Sequence, residues 1–270
     1  MLLNKIKAIN EYLQLVDTYS CGKLFSNDYI QNEAKELIAQ DILFEYHTNN
    51  NLFLFVKKDV GLRMYYYLRN LDEIANFTSL SSIVVEIIYR GEKFYPKEEI
   101  DYLCRCGFSV NLIRDQYSGI YKDLTMSNAS HNVHIKVAET IDEISWSCSL
   151  FNNSFDHLSG DYIPSDSFDD LLSNKQIIVA EDKNGVLLGA LHQTLDKGVA
   201  WISHVAVVPE ARGKRVGQAL LDVFVEKNYT TEKQRYMFWV QQQNEVAVNM
   251  YVKKGFKYLN KSTISLIKTN

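Results

Sequence analysis

The stretch Trp201-Ile-Ser-His-Val-Ala-Val-Val-Pro-Glu-Ala-Arg-Gly-Lys-Arg-Val-Gly-Gln-Ala-Leu-Leu221 changes its hydrophobic period midway. Its first part is apolar and β-branched and predicts a strand over 200–208. Pro209 ends that strand, because a residue without an N–H cannot serve an interior ladder. The last part opens a helix over 213–227, with Val216, Ala219, Leu220, Val223 and Phe224 on one apolar stripe. The junction is Arg212-Gly-Lys-Arg-Val-Gly217. The first N–H groups of a helix lack internal acceptors and lie at the positive end of its dipole, so such a junction suits an anion, phosphate above all. Gly213 permits a close turn, and Gly217 keeps a side chain away from a ligand. Arg212, Lys214 and Arg215 add positive charge. Taken alone, these residues equally fit a basic helix start on a solvated face.

Working outward, the pattern predicts a strand over 133–139, helices over 141–151 and 167–172, and strands over 176–181 and 186–195 around the turn Asp182-Lys-Asn-Gly185. Downstream it predicts a strand over 234–240, a helix over 245–254 stopped by Gly255, and a last strand over 256–267. The first half carries a helix near the N-terminus, a second over 32–39, strands over 52–58, 62–69 and 82–90, a helix over 95–105, and a strand over 108–121. Each half closes strand, helix, Gly-Phe, strand, through Gly107-Phe108 in one and Gly255-Phe256 in the other. The first half has no counterpart of the basic glycine junction, and reads as a degenerate copy. Residues 125–132 are polar and without period. The expected organisation is a degenerate lobe over 1–125, a linker over 126–132 and an active lobe over 133–270.

Composition narrows the classes of function. A chain of 270 residues, at roughly 100–200 residues per domain, makes one large or two modest domains. A net charge of −4 speaks against a general nucleic-acid binder. No run of about 18 apolar residues predicts a membrane span. The N-terminal stretch is broken by Lys5, Lys7, Asn10 and Glu11 and does not read as a signal peptide, so a cytoplasmic location is expected. Cys21, Cys104, Cys106 and Cys148 form no C-x-x-C pair and the histidines are scattered, so no metal is expected.

Val207-Val-Pro209 followed by Arg212-Gly-Lys-Arg-Val-Gly-Gln-Ala219 resembles the acetyl-CoA motif of the GNAT superfamily of N-acetyltransferases. Asn244, Ala247 and Tyr251-Val-Lys-Lys-Gly-Phe256 resemble its second signature. The resemblance implies an α/β (α+β) fold over the second half, with a mixed, mostly antiparallel central sheet flanked by helices, here in tandem with the degenerate N-terminal lobe. It implies acetyl-CoA as co-substrate, no metal, and acetyl transfer to a primary amine by direct attack. It also implies roles. The strand Val205-Ala206-Val207 would pair its backbone with the pantetheine arm. Backbone N–H groups of Arg212, Gly213, Lys214, Arg215, Val216, Gly217 and Gln218 would hold the pyrophosphate. Asn244 would hydrogen-bond the pantetheine or nearby backbone, and Tyr251 would protonate the leaving thiolate. Arg215 departs from the family, which has a glycine there; its side chain must point away or reach a phosphate.

The general base stays open. Trp201 and Ser203 occupy the positions that usually face substrate, and neither is a base. His204 faces the other way under strict alternation, unless a bulge intervenes. His192, on the preceding strand, is the second candidate; positioning of an already neutral amine is the third. Residues 139–183 hold ten Asp and Glu against Lys175 and Lys183. In the family this region borders the acceptor cleft, where it would favour a cationic amine; a solvated acidic face fits equally. The expected partner is a small-molecule amine, with no nucleic acid and no membrane. A coenzyme A-binding sensor or scaffold without turnover is the alternative from another class.

Overall fold

The computed structural model describes residues 3–22, 24–78, 80–126 and 133–269. Of the expected linker, residues 127–132 lie outside the described residues. The elements are β1 (Asn4–Lys5), α1 (Ile9–Tyr19), β2 (Phe25–Ser26), α2 (Ala34–Ala39), β3 (Leu43–His47), β4 (Asn51–Lys57), β5 (Leu62–Leu68), β6 (Ile83–Tyr89), α3 (Lys97–Arg105) and β7 (Ser109–Ile120). There follow β8 (His134–Val137), α4 (Ile141–Ser154), α5 (Phe168–Ser173), β9 (Ile177–Glu181), β10 (Leu187–Asp196), β11 (Val199–Val207), α6 (Val216–Lys227), β12 (Arg235–Gln241), α7 (Glu245–Lys254) and β13 (Lys257–Lys268).

Two compact units result. One holds residues 1–113, 158–160 and 262–270, the other 114–157 and 161–261. In the first, β1, β3, β4 and β5 pair antiparallel in that order, β5 pairs parallel with β6, and β6 pairs antiparallel with the end of β13. The second repeats the plan: β8, β9, β10 and β11 antiparallel, β11 parallel with β12, and β12 antiparallel with β7. The helices repeat too. Two lie between β1 and β3 in the first unit and two between β8 and β9 in the second, and one follows each parallel pair. What the first unit lacks is the counterpart of α6: residues 69–82 join β5 to β6 without a helix among the described residues.

The last strands depart from the sequence-based boundary after residue 125. Arg114–Ile120 of β7 pairs with β12 in the second unit, and Ser262–Lys268 of β13 pairs with β6 in the first. Each unit is closed by a strand from the other half of the chain. Such a pairing joins residues over a hundred positions apart, which local pattern does not encode.

Strands β4 and β9 are apolar on both faces because both faces are covered. In β4, Phe53 and Phe55 enter a core with Tyr66, Phe77 and Ile264, while Leu52, Leu54 and Val56 pack with Tyr12 and Leu37 of α1 and α2. In the second unit, Ile178, Ala180 and Leu191 pack under Leu220 and Phe224 of α6. Ile177, Val179 and Ala190 pack on the other face, against Ile144, Phe151 and Leu171 of α4 and α5.

Candidate functional site

The site is built where β11 and β12 part. Their parallel ladder runs from Val199↔Arg235 to Ile202↔Phe238 and stops. Their outer edges stay paired, β11 with β10 as far as Val207 and β12 with β7 as far as Gln241. The two strands therefore splay from Ser203 onward, with backbone that no strand pairs facing the split. The Val208 N–H donates to the Leu188 carbonyl (3.0 Å), toward β10. Backbone groups alternate sides along a strand. Ala206 therefore also turns its N–H and C=O toward β10, whereas Val205 and Val207 turn theirs into the split.

A bulge coincides with the parting. His192 opposes His204 and Gln193 opposes Ile202, leaving Ser203 as the extra residue. Before the bulge, Ala200 and Ile202 face the α6 core; after it, Val205 and Val207 do, and Ala206 faces the α4 core. The bulge thus turns His204 to the α4 side, where its ring stacks on Phe151 (5.3 Å) and meets Phe155 (5.1 Å). Strict alternation would have put it on the other face.

Opposite the split, Arg212–Arg215 form a turn, and α6 begins at Val216, later than the pattern suggested. Gly213 has φ +77° and Arg215 adopts the left-handed conformation at φ 64°, where a glycine would be less strained. Ala219 is the first residue whose N–H finds a carbonyl of the turn, that of Arg215 at 3.0 Å. The N–H groups of Val216, Gly217 and Gln218 precede it and have no intrahelical acceptor. Arg212, Lys214 and Arg215 are exposed around them, and Arg212 Nε reaches the Val207 carbonyl at 3.4 Å. A Cβ on Gly213 would meet nothing within 4 Å. Free donors, open space and three cations fit the diphosphate of a coenzyme A. Gly189, which sequence reasoning missed, lets this helix approach. A Cβ there would lie 2.9 Å from the Ala206 carbonyl oxygen and 3.3 Å from Val216 Cγ1. A glycine inside a strand is the signal for such an approach.

Tyr251 stands at the base of the split. Its ring centroid is 4.0 Å from that of Phe238, the last residue of the parallel ladder, and 6.0 Å from that of Phe256, which itself packs on Phe238. Burial raises its phenol well above the ordinary value, so the hydroxyl stays protonated. Asn244 caps α7, its side chain accepting from the Ala247 N–H (3.2 Å). Lys254, buried, donates to Asp222 of α6 and to the Thr125 carbonyl (3.1 Å), tying α7 to α6. That pair was also missed; a lysine on the buried face of a helix is its signal.

His192 and His204 face each other with Nδ1 atoms 3.2 Å apart, so one donates to the other. His204 Nε2 is 3.7 Å from Asp161 Oδ1, beyond a hydrogen bond, and Arg114 binds the other oxygen of that carboxylate. Both Nε2 atoms are buried and make no hydrogen bond. Burial, with the neighbouring His204, pushes His192 down to about 4, so it is neutral at physiological pH. Of the ten acidic residues over 139–183, Glu143 and Glu181 pair with Lys136, Asp161 with Arg114, and Asp182 caps its own turn. Asp142, Asp166, Asp169 and Asp170 are exposed. Among the described residues, no group of three or more His, Cys, Asp or Glu is placed to hold a metal ion. No helix among them is long and apolar enough to cross a membrane.

Residues 173–258 match the family model of the acetyltransferase (GNAT) domain. No curated protein matches the chain. Among solved structures, a GCN5-related N-acetyltransferase from Sphaerobacter thermophilus is similar at TM-score 0.58 and 14% identity, over 81% of this chain and 76% of that one. A GCN5-related N-acetyltransferase from Kribbella flavida is similar at TM-score 0.52 and 12% identity, over 84% and 89%. A tandem GNAT protein from the clavulanic acid biosynthesis pathway is similar at TM-score 0.52 and 9% identity, over 83% and 82%. At these identities the likeness is one of fold.

Proposed function

We propose that this chain, in which residues 173–258 match the acetyltransferase (GNAT) family, moves an acetyl group from acetyl-CoA to a primary amine of a small acceptor. One observation carries the reading: the split between β11 and β12 opens beside the left-handed, basic start of α6. Backbone donors of Val216, Gly217 and Gln218, with Arg212, Lys214 and Arg215, hold the diphosphate. Val205 and Val207 offer their backbone groups to the pantetheine arm as an added strand would. Acetyl-CoA supplies an activated acyl group when bound. The acceptor nitrogen attacks that carbonyl directly, the C–S bond breaks, and Tyr251 gives its proton to the departing sulfur. Burial keeps that proton on the phenol until the C–S bond breaks.

The amine proton leaves by the solvent or by the histidine pair. His192 is neutral and so able to accept a proton, but both Nε2 atoms are buried. That burial is the observation favouring the second reading, a coenzyme A-binding sensor without turnover. A titration of acetyl-CoA with thiol release over a panel of amines separates them. Binding with release of thiol supports the transferase; binding with no release from any amine supports the sensor. Gly217→Glu is expected to abolish binding in either case, by bulk and charge at the diphosphate, with the circular dichroism spectrum unchanged. Full affinity in that variant would place the diphosphate elsewhere.

A further inference from the structure

The first unit has its own strand split. The parallel ladder of β5 and β6 runs only from Leu62↔Ile83 to Met64↔Val85, although β5 continues to Leu68 and β6 to Tyr89. As in the second unit, the outer edges stay paired: β5 with β4 along its whole length, β6 with β13 along its whole length. Anything else that bonds to the backbone of Tyr66–Leu68 must therefore lie between β5 and β6.

Something does. Phe25 and Ser26 pair antiparallel with Leu68 and Tyr67. The Asn27 N–H donates to the Tyr66 carbonyl (3.4 Å), and the Tyr66 N–H donates to Asn27 Oδ1 (2.7 Å). Asn27 Nδ2 then crosses to the other strand and donates to the Glu86 carbonyl (2.9 Å). Two residues on, the Ile88 N–H donates to the Tyr29 hydroxyl (3.3 Å). Asn27 is 1% exposed. A single carboxamide thus bridges two strands that have stopped pairing with each other, satisfying backbone groups on both. In the second unit no described residue pairs with β11 on the corresponding edge.

We infer that Phe25–Tyr29 is an internal occupant of the first unit's strand split, filling the place that the second unit leaves open, so that the chain binds one coenzyme A and the first unit binds none. The count of one rests on the reading of α6 given above; the occupancy does not. A buried amide group with a donor and an acceptor is what an extended amide-bearing ligand arm would bring to such a split. Here the chain supplies it covalently, without the entropy of association. That the described residues between β5 and β6 form no helix agrees with this, because a lobe whose split is filled from within needs no anion-binding helix start.

Amide hydrogen exchange on the full chain, with and without coenzyme A, tests the inference. Without ligand, the Tyr66 and Ile88 amides should exchange slowly. Asn27→Ala should speed the Tyr66 amide at least tenfold, the change expected when an opening free energy falls by about 1.4 kcal/mol. If that variant does not fold, Tyr29→Phe, which removes only one acceptor, should speed the Ile88 amide and leave those of β11 unchanged. Coenzyme A should slow the amides of Val216–Gln218 and leave Tyr66 and Ile88 as they were. Fast Tyr66 and Ile88 amides in the unsubstituted chain, an unchanged Ile88 rate in Tyr29→Phe, or slowing of either amide by coenzyme A would each overturn the inference. Coenzyme A slowing no amide anywhere refutes the reading of α6, while the ligand-free rates still decide the occupant.

Discussion

Burial against Phe238 and Phe256 keeps the Tyr251 hydroxyl protonated and fixes the ring at the base of the split. Tyr251→Phe keeps the ring and removes the proton. A general acid contributes about 10²–10⁴-fold, so kcat should fall by that range while the KM for acetyl-CoA changes little. Steady-state kinetics checks this, and wild-type turnover would return Tyr251 to packing alone. His192 gives a second test. Its folded pKa of about 4 lies below the ordinary 6.5. Between those values the unfolded chain takes up a proton that the folded chain does not. Its contribution to stability is therefore full above pH about 6.5 and is lost as pH falls toward about 4. Melting temperatures measured from pH 7 to 5 should drop less steeply in His192→Gln than in the unsubstituted chain.

At the level of elements, α6 and α7 act as a pair: α6 begins at the candidate diphosphate site and α7 carries Tyr251. The buried ammonium of Lys254 and the carboxylate of Asp222 join them, with side chains 5% and 9% exposed. Removing one member of such a pair leaves a buried charge, and Lys254→Met should cost about 3–5 kcal/mol in urea unfolding. Adding Asp222→Leu should recover most of that loss, because the uncompensated charge goes with it. A double variant as unstable as the single one would show that the helices are not held in this way. How well each element is legible follows its regularity. The helix expected over 245–254 is found at those bounds, since Asn244 caps it and Gly255 stops it at φ +107°. β3 went unread because Glu45 is buried at its centre, answered by Asn4 and His47, and this breaks the apolar alternation. β2, with two residues, has no period to read.

On the scale of the whole molecule, the exchange of closing strands decides how the chain can be cut. A fragment over 126–270 lacks β7 and leaves β12 without the partner it has from Arg235↔Ile120 to Gln241↔Arg114. It should be poorly soluble, because an edge strand bearing Phe238 and Val240 would be exposed. A fragment over 109–270, which restores β7, should be recovered in the soluble fraction in greater yield. Equal solubility of the two would mean that β7 does not close the second unit. Deleting residues 262–270 should in turn speed amide exchange in β6, which loses its partner from Ile83 to Tyr89.

The sequence by itself determined what depends on neighbours a few residues apart. These are the strand ending at Pro209, the glycine-bearing turn, the apolar stripe of α6, the cap and stop of α7, and the likeness in order between the two halves. A helix start carries its free donors wherever it sits, so the presence of such donors at the opening of α6 was legible without a fold. Tertiary structure decided what depends on distant pairing. Ser203 is a bulge only because β10 offers it no partner, and that one residue turns His204 from one face of the sheet to the other. Asn27 lies in a polar stretch between two helices and shows its role only when β5 and β6 are seen to part around it. The strand that closes each unit comes from the other half of the chain, because hydrogen-bond partners across a sheet are chosen by edge and register and not by proximity in sequence.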